Sequence, residues 1–209
     1  MKMKKQGFTL AEVIITLGIV GVVAAITLPA LMADTTTAQI GPKLAKAIAT
    51  FEQANAIMLD KRGTDALTDA ELLSEDYSEE LSKYLKGAGT NDQFITKDGV
   101  LYKFTITNST PDSSKPPHQQ RIDANGSEVM IDINGNTKPN ISGADQFYFS
   151  WWNDGSLRPK GATNWNGEDS SADGGSEHWK TKCAVDSIPS DDKYCAGHVF
   201  ENNLKALYK

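Results

Sequence analysis

"KKQGFTLAEVIITLGIVGVVAAITLP", residues Lys4–Pro29, is the stretch that decides how this chain is built. The 21 residues from Val13 to Ala33 carry no charge, and as an α-helix they would be about 31 Å long. This length matches the hydrocarbon core of a bilayer, which is roughly 30 Å thick, so the stretch predicts a membrane-spanning helix. Glu12 is the one acidic residue in it, and a carboxylate is among the groups that such a helix is least expected to contain.

Charge is unevenly distributed along the sequence. Lys2, Lys4 and Lys5 precede the apolar run, and this basic tip predicts a cytoplasmic N-terminus with the rest of the chain exported. The whole chain has 21 Lys and Arg residues against 27 Asp and Glu residues. Without the three lysines of the tip, 18 bases face 27 acids, which leaves a net charge of −9. This acidic balance argues against nucleic acid as a partner.

Two simple interpretations of the N-terminal segment stay open. An uncleaved signal anchor fits the length of the apolar run and the basic tip. A cleaved secretory signal peptide would use Met1–Gln6 as its basic region and would be cut near Ala33, before Asp34. Against the signal peptide, the apolar run exceeds the usual ~7–15 residues, and Glu12 falls where such a peptide should be apolar.

A third interpretation accounts for the carboxylate. The short basic leader ending at Gly7, then Phe8, Thr9 and Leu10, then Glu12 and a long apolar helix resemble the N-terminus of type IV pilins and type II secretion pseudopilins. The resemblance covers about the first 30 residues in sequence and the remainder only as architecture. It implies that a prepilin peptidase cuts after Gly7 and that the new terminal amine, on Phe8, is methylated.

The resemblance also gives Glu12 a partner. A carboxylate within hydrocarbon costs about 2.5–3.5 kcal/mol, whereas the amine of Phe8 would be mostly cationic at neutral pH. Glu12 lies about one turn from that amine, which is awkward for a pair within one helix. A staggered neighbouring subunit could present its Phe8 amine instead, and the pair would fix the axial register, because a slip would bury an unpaired charge.

Further expectations about place and partners follow from the resemblance. The chain would wait in the bacterial inner membrane as a single-pass protein with its head in the periplasm, then enter a pilus or a periplasmic pseudopilus. Its partners would be copies of itself and other pilins in a helical filament, the prepilin peptidase, an inner-membrane assembly platform and membrane lipid. The alternatives are a type II secretion pseudopilin, a membrane-anchored periplasmic binding or adhesive module, and an anchored hydrolase.

The remaining sequence predicts an α+β, pilin-like fold with a long N-terminal helix packed on a small antiparallel sheet. Its parts are a leader at 1–7, a helix at 8–62 and a head at 63–209. The helix is hydrophobic over 8–33 and amphipathic over 34–62. Pro29 and the Gly41-Pro42 pair should bend or loosen the helix without ending it, and Gly63 should end it. The apolar stripe of the amphipathic half consists of Leu44, Ile48, Phe51, Ala54 and Met58.

Within the head, periodicity changes from helical to alternating. A second, shorter helix is predicted inside Asp69–Lys86. Alternating apolar residues predict strands at Val100–Ile106, Val129–Ile133 and Phe147–Trp151, and Asn153–Gly155 predicts a tight turn after the third. Two segments rich in polar residues, Gly and Pro are predicted as surface loops, 108–127 and 161–175.

Cys183 and Cys195 are the only cysteines. In an exported head they fall where disulfides persist, and a C-terminal disulfide is also what the resemblance implies. The other interpretation is a zinc site that adds His178 and His198, although the short spacing typical of zinc knuckles is missing.

Asp132, Asn134 and Asn136 stand at alternate positions, as the first oxygen ligands of a calcium loop do. Some pseudopilins hold calcium in their β-region, so the resemblance allows a structural Ca²⁺, while an Asx-rich turn explains the same pattern. No other cofactor is predicted. With three histidines and neither a G-x-S-x-G nor an H-E-x-x-H motif, the sequence does not predict an enzyme.

Overall fold

The structure is a computed structural model of the full chain. The backbone of residues 28–38 and 201 is described without their side chains. The leader, Gly7 and Phe8 lie outside the described residues, as does most of the predicted loop at 161–175. The described residues are 9–69, 72, 77–90, 92–106, 113–120, 122, 127–138, 140–162, 183 and 193–201.

The first element is one continuous helix, α1, which runs from Leu10 to Arg62. Its 53 residues correspond to about 80 Å of helix. The helix continues through Pro29 and Pro42, so neither proline ends it. It stops where the sequence predicts, at Gly63, whose φ of 70° is left-handed and whose N–H bonds back to the carbonyls of the last turn.

The two halves of α1 have different surroundings. In the described part of the N-terminal half, Leu10–Thr27, every large apolar side chain is exposed, including Ile14, Ile19 and Ile26. In the C-terminal half the predicted stripe turns into the head, and all of it is buried except Ile48, which is partly buried. The amphipathic pattern of this half is therefore confirmed.

The head contains a six-stranded antiparallel meander in which each strand pairs with the next along the chain. The three predicted strands form its β3, β4 and β5, and the predicted turn at Asn153–Gly155 leads into β6. The hairpin of β1 and β2 was not predicted by the sequence pattern. The bounds are β1 Gly87–Thr90, β2 Gln93–Thr96, β3 Leu101–Thr105, β4 Glu128–Asp132, β5 Gln146–Trp151 and β6 Leu157–Pro159.

Three short helical segments complete the described fold. Helix α2, Tyr77–Ser82, lies inside the range predicted for a second helix and contacts β1 and β2. A single 3₁₀ turn at Pro117–Gln119 interrupts the segment predicted as a loop. Helix α3, Cys195–Glu201, was not predicted and contacts β5 and β6.

An aromatic cluster joins α1 to the sheet. The ring of Phe51 stacks on Tyr102 with centroids 5.5 Å apart and contacts Trp151 at 5.9 Å. Tyr77, from α2, meets Trp151 edge-on at 4.7 Å. The Tyr77 hydroxyl donates to Asn55 Oδ1 at 2.5 Å. The core of the head is therefore built on the C-terminal half of α1.

The predicted turn after β5 also packs against α1. Gly155 has a φ of 83°, and its carbonyl accepts a 3.0 Å hydrogen bond from Asn55 Nδ2. A Cβ on Gly155 would lie 2.5 Å from the Asn55 Cβ. Glycine is thus required there for its backbone conformation and for the close approach of the helix.

Candidate functional site

Glu12 lies in the first turn of α1, where it forms a capping box with Thr9. Its Oε2 accepts hydrogen bonds from the Thr9 backbone N–H and the Thr9 hydroxyl, both at 2.8 Å. The Thr9 hydroxyl oxygen in turn accepts from the Glu12 N–H at 3.3 Å. Such a box satisfies two backbone donors that a helix start otherwise leaves free. The structure therefore gives Glu12 a local role at the N-terminus that the sequence analysis did not identify.

The proposed processing residues precede this box directly. Gly7 and Phe8 lie outside the described residues, so cleavage after Gly7 and methylation of Phe8 stay predictions. A chain that began at Phe8 would place its terminal amine one residue before the helix cap at Thr9.

The exposed half of α1 supplies an extended apolar surface. Its window Leu10–Thr27 has a mean hydropathy of 2.3, and none of it is buried within the protein. Its 18 residues give a helix of about 27 Å, which by length and composition can cross a bilayer. An apolar surface of this size marks contact with lipid or with other proteins.

At the other end of the chain, the two cysteines are bonded to each other. The sulfur atoms of Cys183 and Cys195 are 2.03 Å apart, and their Cα atoms are 5.0 Å apart. The bond leaves neither sulfur as a thiolate ligand, so the zinc interpretation of this pair is wrong. His178 lies outside the described residues.

An ion cluster around the buried carboxylate of Glu128 holds the segment next to this disulfide against the sheet. Glu128 of β4 bonds to Lys160 Nζ at 2.7 Å and also to Lys193, two residues before Cys195. Burial acts to raise the pKa of Glu128, but hydrogen bonds and charge from the two lysines outweigh it and hold the pKa below its usual range. The sequence pattern did not indicate this cluster.

The loop between β4 and β5 brings two of the three predicted calcium ligands together. Asp132 Oδ1 accepts from the Asn134 N–H at 3.1 Å, whereas Asn136 is exposed. Asp145, which the sequence analysis did not single out, accepts from Asn134 Nδ2 at 3.1 Å and from the Asn140 N–H at 2.8 Å. Burial raises the pKa of Asp132 to about 6, the nearby Asp145 carboxylate adds to the rise, and hydrogen bonds from Gln146 and Asn134 oppose it.

This loop fits a hard cation in its donor chemistry. The side-chain oxygen of Asn134 is buried and has no hydrogen-bond partner within the described structure. With its nitrogen turned inward, the Asn140 amide donates to Asp132 Oδ2 and to the Thr137 carbonyl, both at 3.1 Å. In the opposite orientation the side-chain oxygen of Asn140 would lie beside the Asp132 carboxylate oxygen and the Thr137 carbonyl oxygen, so that three oxygens would come together. Carboxylate, amide and backbone oxygens are the ligands that Ca²⁺ takes in proteins.

The described residues hold no group of three or more His, Cys, Asp or Glu side chains that could bind a metal ion. In the β4–β5 loop the two carboxylates are accompanied by amide and carbonyl oxygens instead.

Comparison with known proteins bears on the N-terminal part of the chain. Residues 2–28 match the family model of the prokaryotic N-terminal methylation motif, the signature of type IV pilins and pseudopilins. The match contains Gly7, Phe8, Glu12 and the whole exposed apolar window. Neither the search of curated proteins nor that of solved structures finds a match. The chain therefore carries a pilin-type N-terminal signature, and its described residues have an α+β, pilin-like layout.

Proposed function

We propose that this chain is a structural subunit of a type IV pilus-like filament. It is made as a prepilin, cut after Gly7 and methylated on Phe8. The observation that supports this most is the coincidence of the methylation motif at residues 2–28 with a half-helix that the described residues leave uncovered. The apolar half is first the inner-membrane anchor, with the head in the periplasm, and then the core of the filament.

In this proposal Glu12 has two tasks that use different atoms. The capping box engages Oε2 and holds the carboxylate at the start of the helix. Oε1 is then the atom that the methylated Phe8 amine of a neighbouring subunit contacts. In apolar surroundings a displaced neighbour would leave both charges unpaired, so the contact fixes the axial register. This role rests on the family resemblance together with the position of Glu12 in the first turn.

The alternative within the same class is a pseudopilin of the type II secretion system, because that system shares the N-terminal signature. Both proposals make the chain a substrate of the prepilin peptidase. They differ in where the filament ends, outside the cell or within the periplasm. Electron microscopy of cells that express the chain, with an antibody against the head, separates them.

The proposal is tested by determining the N-terminus of the protein isolated from its native envelope. Intact-mass and peptide mass spectrometry should find a chain that begins at N-methylated Phe8. A mature protein that begins at Met1 would support an anchored binding module instead. One that begins at Asp34 would indicate a cleaved signal peptide, and either result would refute the pilin proposal.

We also propose a structural Ca²⁺ in the β4–β5 loop, held by Asp132, Asn134 and Asp145, with Asn140 turned to present its oxygen. The ion would supply positive charge to two neighbouring carboxylates. It would thereby stabilise the β4–β5 loop without taking part in any reaction.

A further inference from the structure

A pocket of about 460 Å³ opens beside α1 at the edge of the head. Its floor includes the buried side chains of Ala47, Val100 and Ile133, together with Tyr102, whose hydroxyl donates to the Ala47 carbonyl at 2.9 Å. Four lysines line its rim: Lys43 and Lys46 from α1, Lys86 directly before β1, and Lys97 in the β2–β3 turn.

Most of the positive charge on this rim is unpaired. Lys46 bonds to Asp98 at 2.8 Å. Lys43, Lys86 and Lys97 are exposed, and no carboxylate in the described part of the chain lies within ion-pair distance of them. A surplus of three positive charges at one pocket is unusual in a chain whose net charge is −6. The pocket therefore suits an anionic partner.

The contacts along α1 place the pocket at the end of the head nearer the apolar span. Lys46 meets Asp98 at this end, whereas Arg62, at the last residue of the helix, bonds to Glu80 at 2.9 Å. The α1 residues that line the pocket end at Thr50, whereas Asp60 lies ten residues further along the helix, close to its end. We call the pocket the base of the head, and residues 60–69, at and just after the end of α1, its tip.

The tip is acidic. It has three carboxylates, Asp60, Asp65 and Asp69, and two cations, Lys61 and Arg62, both of which are engaged by other side chains. Glu80 engages both Arg62 and Lys83, and the ammonium of Lys61 lies 4.7 Å from the ring centre of Tyr84. The exposed carboxylates of the tip have no Lys or Arg within ion-pair distance among the described residues, and these are Asp60, Asp65 and Asp69.

We infer that the lysine pocket at the base of one head binds the acidic tip of a second copy of this chain. The inference rests on the proposed filament function and names a contact between heads. Base and tip are different surfaces, so the contact is head-to-tail, and such a contact repeats without closing unless its rotation forms a ring. Complementary charge sets partner choice and the rate of encounter, and it makes the contact sensitive to salt.

A membrane surface is the other anionic partner to consider, and the position of the pocket disfavours it. Lys43 lies ten residues beyond Ala33 on the same helix, which is about 15 Å along the axis. The headgroup layer extends roughly 5–8 Å beyond the hydrocarbon. With the helix upright, the pocket therefore stands above the headgroups, at a height where another head can reach it.

The contact also implies which neighbour is bound. Lys46 and Asp60 are fourteen residues apart on α1, about 21 Å along the axis. Two copies joined base to tip must be displaced by about this distance. A pair between Glu12 and a neighbouring Phe8 amine needs only about one turn, or roughly 5 Å. The two contacts therefore join each subunit to different neighbours.

A charge swap in the full-length chain tests the inference. Lys43→Glu with Lys97→Glu reverses the rim at exposed positions, and should lower the amount of assembled filament about tenfold or more. Adding Asp65→Lys and Asp69→Lys to the same chain should restore assembly, because the two surfaces then again carry opposite charges, with the signs exchanged. Lys103→Glu, at an exposed lysine of β3 outside the pocket, is the matched control and should assemble normally.

A second measurement identifies the occupant directly. With Lys97→Cys and Asp65→Cys in one chain, oxidation of filaments should give a ladder of covalently linked copies, and either single substitution should not. In nanodiscs that hold one copy, amine labelling of Lys97 should be equal with neutral and with anionic lipid. Protection by the anionic lipid alone would assign the pocket to the membrane and overturn the inference.

The outcomes also separate the two levels of proposal. Normal assembly of the reversed rim, or no recovery in the four-residue swap, overturns the inference while the filament function stands. An unmodified chain that is not cut after Gly7, or that never enters filaments, overturns the proposed function and the inference together.

Discussion

The two halves of α1 share one helix and differ in what surrounds them. From Leu10 to Thr27 every large apolar side chain faces outward, whereas Leu44, Phe51 and Met58 are 0–1% exposed in the core of the head. A short helix is marginal without tertiary contacts. The C-terminal half obtains those contacts within its own chain, and in the proposed function the N-terminal half obtains them from lipid and then from other subunits. The comparison predicts that mutations in one half change folding, while mutations in the other change assembly.

The largest expected effect is on folding. Phe51→Ala removes the ring that joins α1 to Tyr102 and Trp151, and should lower the free energy of unfolding by about 3–5 kcal/mol. Ile19→Ala, at a position 61% exposed, should leave it unchanged. Chemical unfolding of both variants in the same detergent provides the comparison. Equal losses would mean that the two halves are not independent.

Glu12→Gln sharpens the comparison from the other half. Glutamine can keep the capping box with Thr9, since it retains an acceptor at that position, but it removes the charge. We expect normal cleavage and an unchanged melting temperature of the head, with incorporation into filaments reduced about tenfold or more. Quantitative immunoblots of sheared filaments and membranes measure the ratio. Normal incorporation would refute the register role.

Calcium should affect only the head. An ion at 100 times its dissociation constant stabilises a folded protein by about 2.7 kcal/mol, which raises the thermal midpoint by several degrees. Asp145→Asn should abolish the shift, and Asn136→Ala, at an exposed position, should retain it. Differential scanning calorimetry with Ca²⁺ and with chelator measures the shift in each variant. It decides whether the third protein ligand beside Asp132 and Asn134 is Asn136, as the sequence predicts, or Asp145, as the structure suggests. A midpoint indifferent to both conditions would exclude the ion.

The smallest effect concerns pH and the segment beside the disulfide. Because the pKa of Glu128 is lowered in the folded state, its contribution to stability is present above its unfolded pKa of about 4.3 and is lost as pH falls through the folded value. Lys193 is half exposed, so we expect only about 1 kcal/mol. Unfolding of Glu128→Gln and of the unmodified chain between pH 3 and 7 should converge at the acidic end. A constant difference would contradict the ion cluster.

The parts of the fold that the sequence predicts are those that depend on local sequence patterns. The stripe from Leu44 to Met58, the stop at Gly63 and the turn at Gly155 depend on local periodicity and backbone conformation. Phe147, Phe149 and Trp151 alternate because one face of β5 is buried. These signals lie within a few residues of one another and need no knowledge of the rest of the chain.

The missed parts depend on approaches between distant segments. Strand β1, Gly87–Thr90, has the sequence GAGT and no apolar pattern. It can pair with β2 there because Gly87 has no Cβ. A Cβ at this position would lie 2.2 Å from the Ile95 carbonyl oxygen, a distance that only glycine avoids. Likewise Asp145 joins Asp132 through the register of β4 and β5, and Glu128 joins Lys160 through β5 and β6. No residue spacing in the sequence indicates that these side chains lie close together.

The continuity of α1 has a mechanical consequence. The described backbone places no loop between the apolar half and Phe51. In the proposed filament, tension would therefore enter the core of the head directly along the helix axis. The load falls as shear on the side chains that hold α1 against the sheet, among them Phe51, Asn55 and Glu52, whose Oε1 accepts a 2.9 Å hydrogen bond from the Leu157 N–H. In the proposed filament, the helix that anchors the subunit would also carry tension through it.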